Sequence, residues 1–158
     1  MSLLEGLDYP QSGIGGEREV GIRGRWYVID PKSHHSTFLG EKLIVDQGLE
    51  KIGGLITGRE TVSNWYIAFG TGTSPADWID TDLEAKVSSK AAFIDERWVG
   101  DEYWLYFYTV FSQSELSGHS VAELGLYADS TLVDRISFDP QTFDSDKIFL
   151  CILILSRW

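Results

Sequence analysis

The chain is short of cysteine, of basic residues and of long apolar runs, and each shortage removes a class of answer. Its one cysteine, Cys151, rules out an intrachain disulfide. Thirteen Lys and Arg against 24 Asp and Glu leave a formal net charge of -11 and a pI near 4.5. Such a molecule repels phosphate backbones and anionic bilayers, so neither nucleic acid nor membrane is an expected partner. The most apolar stretch, from Ile148 to Leu155, is too short and too β-branched for a membrane helix and reads as a buried strand in which Cys151 is a small hydrophobe. The opening Met1-Ser2-Leu3-Leu4-Glu5-Gly6 has neither the charged nor the long apolar part of a secretion signal, so export by that route is not expected.

What is abundant is ring-bearing and apolar surface. With 43% apolar residues, 6 Trp, 7 Tyr and 8 Phe, there is ample area to bury, because each aromatic removes a large area from water. At 158 residues two separate cores would each be too small to stand alone, so one core is expected. The acidic excess keeps so aromatic a chain soluble.

Along the chain, residues 1–16 are Gly-rich, carry Pro10 and Ser12, hold no sustained period and read as an extended arm, leaving 17–158 as a single domain. Val20 to Ile29 alternates as a strand and Asp30-Pro31 closes it; Phe38 to Val45 reads as a second. The period then changes. Leu49, Ile52 and Ile56 fall on one helical face, with Asp46 as the expected N-cap, Gly58 as the stop, and Gly53-Gly54 as a weakness. Trp65 to Phe69 is a strand running into the turn-rich Gly70-Thr71-Gly72-Thr73-Ser74-Pro75, followed by a loop to Val87. Ala91 to Val99 and Tyr103 to Phe111 form a hairpin about Gly100-Asp101. The second of these strands is apolar on both faces and needs cover on both. Val121 to Tyr127, Leu132 to Phe138 and Lys147 to Leu155 complete the series. Short strands at this spacing predict a mainly β chain: an antiparallel, jelly-roll-like β-sandwich with one short helix and an extended N-terminal arm.

Candidate chemistry is thin. His34, His35 and His119 have no cysteine or carboxylate at ligand spacing, and adjacent histidines on an extended segment point to opposite sides. Gly118-His119-Ser120 lacks the Gly-x-Ser-x-Gly elbow of a hydrolase, and Gly70-Thr71-Gly72-Thr73 lacks the Gly-Lys-Ser/Thr ending of a phosphate loop. No catalytic residue is assigned, no enzyme activity and no cofactor is expected. Asp77, Asp80 and Asp82 offer hard oxygen ligands of the kind calcium takes, without EF-hand spacing, and read first as turn formers. Glu123 and Arg135 each interrupt an apolar strand. They either pair across adjacent strands and fix the register or face outward, and the sequence leaves both readings open. The tryptophans Trp65, Trp78, Trp98, Trp104 and Trp158 could stack on sugar rings, a use that ranks below packing.

Taken in order, Ile44-Val45-Asp46-Gln47-Gly48-Leu49, then Trp65 to Pro75, then Asp80-Thr81-Asp82-Leu83-Glu84-Ala85-Lys86-Val87, and finally Val121 to Tyr127 with Leu132 to Phe138, resemble a pattern in virion proteins of tailed phages. The likeness spans roughly Ile44 to Phe138. It implies a structural role on a phage particle, as a capsid decoration (cement) protein or a tail-tip, fibre, collar or baseplate component. The partners it implies are copies of the chain itself, a homo-oligomer such as a trimer, and other virion proteins such as major capsid or tail subunits. A host-glycan-binding module on the virion is the alternative. Interfaces of this sort favour aromatic and aliphatic anchors. They nominate Leu3, Leu4, Tyr9 and Ile14 of the arm, with Trp26, Trp104, Tyr106, Tyr108 and Trp158, as subunit contacts.

Overall fold

Alternation of apolar and polar side chains, interrupted by Gly, Pro and Asp at the turns, leaves this chain little choice but strands. The structure is a computed structural model that describes residues 22–156. The expected arm, its Leu3, Leu4, Tyr9 and Ile14, the Val20-Gly21 start of the first strand, and Trp158 lie outside the described residues.

The strands are β1 (Ile22–Ile29), β2 (Ser36–Leu43), β3 (Trp65–Gly70), β4 (Lys86–Ala91), β5 (Phe93–Val99), β6 (Glu102–Phe111), β7 (Val121–Ala128), β8 (Thr131–Gln141) and β9 (Lys147–Ser156), with helices α1 (Asp46–Thr57) and α2 (Gln113–Leu116). One sheet has the order β2-β1-β9-β6-β5 and the other β4-β3-β7-β8; every pairing is antiparallel. The two pack face to face as a β-sandwich. Successive strand pairs alternate between the sheets, and β9 enters last, between β1 and β6. The β5–β6 hairpin turns on Gly100-Asp101 as the sequence predicts, with Gly100 at φ 61°.

The common core lies between the sheets. Trp26, Phe107, Phe149 and Cys151 from the first meet Ile67, Phe69, Leu124 and Leu126 from the second. Phe69, Phe111 and Phe149 contact one another edge-on or tilted, with centroids 5.0 to 6.3 Å apart. Cys151 is buried there, and burial pushes its thiol pKa up, which leaves it an inert apolar group.

Three expectations are corrected. The N-cap of α1 is Val45, which makes no side-chain cap; Asp46 is instead the first helical residue, where its carboxylate favours the positive end of the helix. Leu49 and Ile56 do not face the core: Ile56 is 82% exposed, and the buried helix positions are Gly48 and Gly54. The helix meets β8 backbone to backbone, because a Cβ on Gly48 would lie 2.6 Å from the Val133 carbonyl. Finally, Lys86 to Ala91 is a strand and not the end of a loop. Its Lys-Val-Ser-Ser-Lys-Ala sequence is too polar to read as one, and it is tolerated because β4 is an edge.

Candidate interaction surface

Glu123 on β7 and Arg135 on β8 project from the same outward face of the second sheet, one register step apart: Glu123 stands opposite Ser137, and Arg135 opposite Gly125. Arg135 Nε donates to Glu123 Oε1 at 3.0 Å, and both side chains are closed to solvent, with 0% of Glu123 and 2% of Arg135 exposed. The cover is the loop between β3 and β4. Glu123 accepts the backbone N–H groups of Gly72 (2.8 Å), Glu84 (2.9 Å) and Ala85 (2.8 Å). The guanidinium of Arg135 reaches Asp80 Oδ2 (2.9 Å), the Ser74 carbonyl (2.9 Å) and the Pro75 carbonyl (3.2 Å). Burial works against its charge, but the carboxylates of Glu123 and Asp80 outweigh it and raise its pKa. The pair therefore clasps loop to sheet. A buried ion pair persists when its remaining donors and acceptors are filled in this way.

The same clasp disperses the three aspartates considered for calcium. Asp80 is held by Arg135 and by the Asp77 N–H, the latter at 2.9 Å. The Asp77 carboxylate accepts the Ile79 N–H at 3.4 Å. Asp82 receives the Leu83 N–H, the Tyr127 hydroxyl and Lys86. Partial burial opposes the charge of Asp82, yet those donors win and lower its pKa, while burial and Asp82 together push the Tyr127 hydroxyl up. Among the described residues no three His, Cys, Asp or Glu side chains gather to hold a metal ion. Tyr127 and Glu84, whose Oε1 accepts the Thr73 N–H at 3.1 Å, also tie this loop down. Neither is signalled locally in the sequence. His34 lies in the β1–β2 turn, and His119 packs its ring on Phe69 at 5.8 Å between centroids.

The nominated aromatic contacts are redistributed. Trp26, Trp104 and Tyr106 are buried within the chain. Trp26 lies between the sheets, with its Nε1 donating to Asp134 Oδ2 at 2.9 Å. Tyr108 is half-buried and stacks on Phe93, centroids 5.6 Å apart. A single sequence cannot tell an interface aromatic from a core one in a strand such as β6, which carries rings on both faces.

The exposed apolar groups lie instead on β5, where Phe93 is 63%, Ile94 53% and Trp98 60% exposed. The cause is topological. A five-stranded sheet faces a four-stranded one, and β5 is the outermost strand of the larger sheet, paired on one side only among the described residues. Asp95, Glu96 and Arg97 stand between these apolar groups, the charged interruption that discourages indiscriminate pairing at an edge. That triplet inside an apolar strand was the available signal. Trp78 and Ile79, on the clasped loop, form a second exposed pair. No helix among the described residues is long and apolar enough to cross a membrane.

Comparison of the chain with known protein families, with curated proteins and with solved structures finds no match.

Proposed function

We propose that this chain is a non-enzymatic structural subunit of a tailed-phage virion, a capsid decoration protein or a tail-tip, fibre or baseplate component, that joins its neighbours through the β5 edge. The observation that carries the reading is that Phe93 on one face of β5 and Ile94 and Trp98 on the other are each more than half exposed, on a strand paired on one side only among the described residues. Backbone donors and acceptors along that side can add a neighbour's strand, while the rings and the isoleucine supply apolar area. The resemblance of the segment from Ile44 to Phe138 to virion proteins supports a location on a phage particle.

Two measurements test it. Ile94→Lys with Trp98→Glu converts a self-associating chain into a monomer by light scattering if β5 is the contact; unchanged association removes β5 from the reading. Antibody against the chain, applied to purified particles from its host, labels capsid or tail in electron micrographs if the subunit belongs to the virion. Particles without label end the proposal.

Exposed faces on Trp78 and Trp98 favour one second reading, a glycan-binding module, because an indole face can stack on a sugar ring. Tight binding on a glycan array, lost in Trp78→Ala, would move the assignment there.

A further inference from the structure

Strand β5 is seven residues long and reads Phe-Ile-Asp-Glu-Arg-Trp-Val. Its order has a symmetry that emerges when the strand is set against itself. Phe93, Asp95, Arg97 and Val99 point to one face of the sheet, and Ile94, Glu96 and Trp98 to the other. Two copies joined edge to edge about a two-fold axis perpendicular to the sheet run antiparallel, and residues directly opposite each other share a face. That condition puts the axis through one residue and its own counterpart.

The registers are then few. An axis at Asp95 sets Asp95 against itself, Ile94 against Glu96 and Phe93 against Arg97; an axis at Arg97 sets two arginines together and Trp98 against Glu96. Each opposes like charges and spends apolar groups on charged ones, which weakens a pairing. An axis at Glu96 sets Asp95 against Arg97, Ile94 against Trp98 and Phe93 against Val99, each twice. It alone pairs all seven residues, because Glu96 is the middle of the strand. Only the two Glu96 carboxylates oppose each other. Through their hydrogen bond Glu96 pushes up the pKa of the Tyr103 hydroxyl on β6, so the carboxylate leans over its own sheet and away from the axis.

We propose that the neighbour at β5 is a second copy of this chain, paired antiparallel β5 to β5 about a two-fold axis at Glu96, so that two five-stranded sheets join into one of ten strands. The inference rests on the β5 reading above and names its partner and its register. In the pair, Ile94 (53% exposed) and Trp98 (60% exposed) of each copy cover each other. Phe93, whose ring stacks on Tyr108, gains Val99 of the other copy. The solvent-facing contacts of Asp95 with Arg97 supply little affinity and select the register. Asp95, Glu96 and Arg97 sum to -1 on each strand, so charge as a whole still opposes the contact and the apolar groups carry it.

Sedimentation equilibrium of charge variants decides. Asp95 is exposed, and Asp95→Arg makes the net charge of -11 less negative by two, so overall repulsion alone would tighten association. The register demands the reverse: arginine faces arginine twice, and self-association should weaken about tenfold. Arg97→Asp should weaken it as well. The double variant Asp95→Arg with Arg97→Asp should associate like the parent. An equimolar mixture of the two single variants should form heterodimers as tight as the parent's, since every pair is again complementary, and that rescue shows both variants to be folded. Tighter association of Asp95→Arg, or a mixture no tighter than its components, overturns the register. Ile94→Lys with Trp98→Glu separates this failure from that of the wider reading: monomers there, without the charge pattern, keep β5 as the contact and end its self-pairing at Glu96. A parent chain that stays monomeric at every concentration also ends the self-pairing and leaves the β5 edge to a different virion subunit.

Discussion

Among the described residues, Asp134 is the one carboxylate enclosed between the sheets. It is fully buried, its Oδ2 takes the Trp26 indole N–H, and its Oδ1 has no hydrogen-bond partner among the described residues. Gly24 stands against it, since a Cβ there would overlap the carboxylate. Burial lifts its pKa well above the ordinary value of 3.8, against the opposing pull of the Trp26 hydrogen bond. Folding therefore takes up a proton between the unfolded and folded values. The resulting penalty is absent below the unfolded pKa, grows as pH rises through that window, and levels off above the folded pKa. Asp134→Asn keeps the shape and removes the proton requirement. Its Tm relative to the parent should be unchanged or lower near pH 3.5 and should gain steadily toward neutral pH; a pH-independent difference in calorimetry would refute the assignment. Glu123 and Arg135 make the opposite case, because each charge is fully matched. Glu123→Gln should cost about 3–5 kcal/mol in urea unfolding, and Arg135→Met a similar amount, because either takes a buried charged partner away from the other member of the pair. The double variant should cost clearly less than the two together. Additive losses would mean that the clasp is two unrelated contacts.

Among the elements, α1 was legible in extent and not in orientation. Its span and its Gly58 stop follow from the change of period, and Gly58 does cap it at φ 76°. The buried face was misread because apolar residues usually mark it, whereas here the closest approach to β8 is made at Gly48. Gly48→Ala would drive a methyl into the Val133 backbone, 2.6 Å from its carbonyl oxygen, and the helix or the strand must move. Gly53→Ala meets nothing within 4 Å and should stabilise by about 0.5–1 kcal/mol through helix propensity alone. Thermal unfolding of the two variants should shift in opposite directions, and equal shifts would show that α1 is not packed through Gly48. The short α2 was missed although its signal was present. Ser112 and Glu115 form a reciprocal capping box, spelled Ser-x-x-Glu in the sequence. A four-residue helix offers no apolar period to draw attention to it. The strands fared better, since alternation is a local property, and β4 escaped only because an edge can be polar.

At the scale of the whole molecule, sandwich class follows from strand spacing, while the facts that decide function are relations between distant strands. Which strand ends a sheet, and which aromatic faces a second layer, depend on β9 inserting between β1 and β6. No window of sequence contains that. Hence Trp104 and Tyr106, nominated as contacts for a partner, are buried, and Phe93, Ile94 and Trp98 are exposed on the edge strand, although of the three only Trp98 was singled out, as a ring that could stack on a sugar. Net charge, by contrast, is fully given by the sequence and acts on every association of this chain. Two copies at -11 each repel, and the repulsion reaches about 10 Å at 0.1 M salt and about 3 Å at 1 M. If the contact is made by the exposed apolar groups of β5, salt weakens what opposes association and leaves the attraction intact. Sedimentation equilibrium from 0.05 to 0.5 M sodium chloride should therefore show association tightening several-fold, with little further gain once screening is complete. Association that loosens with salt would place complementary charges at the interface and direct attention away from β5.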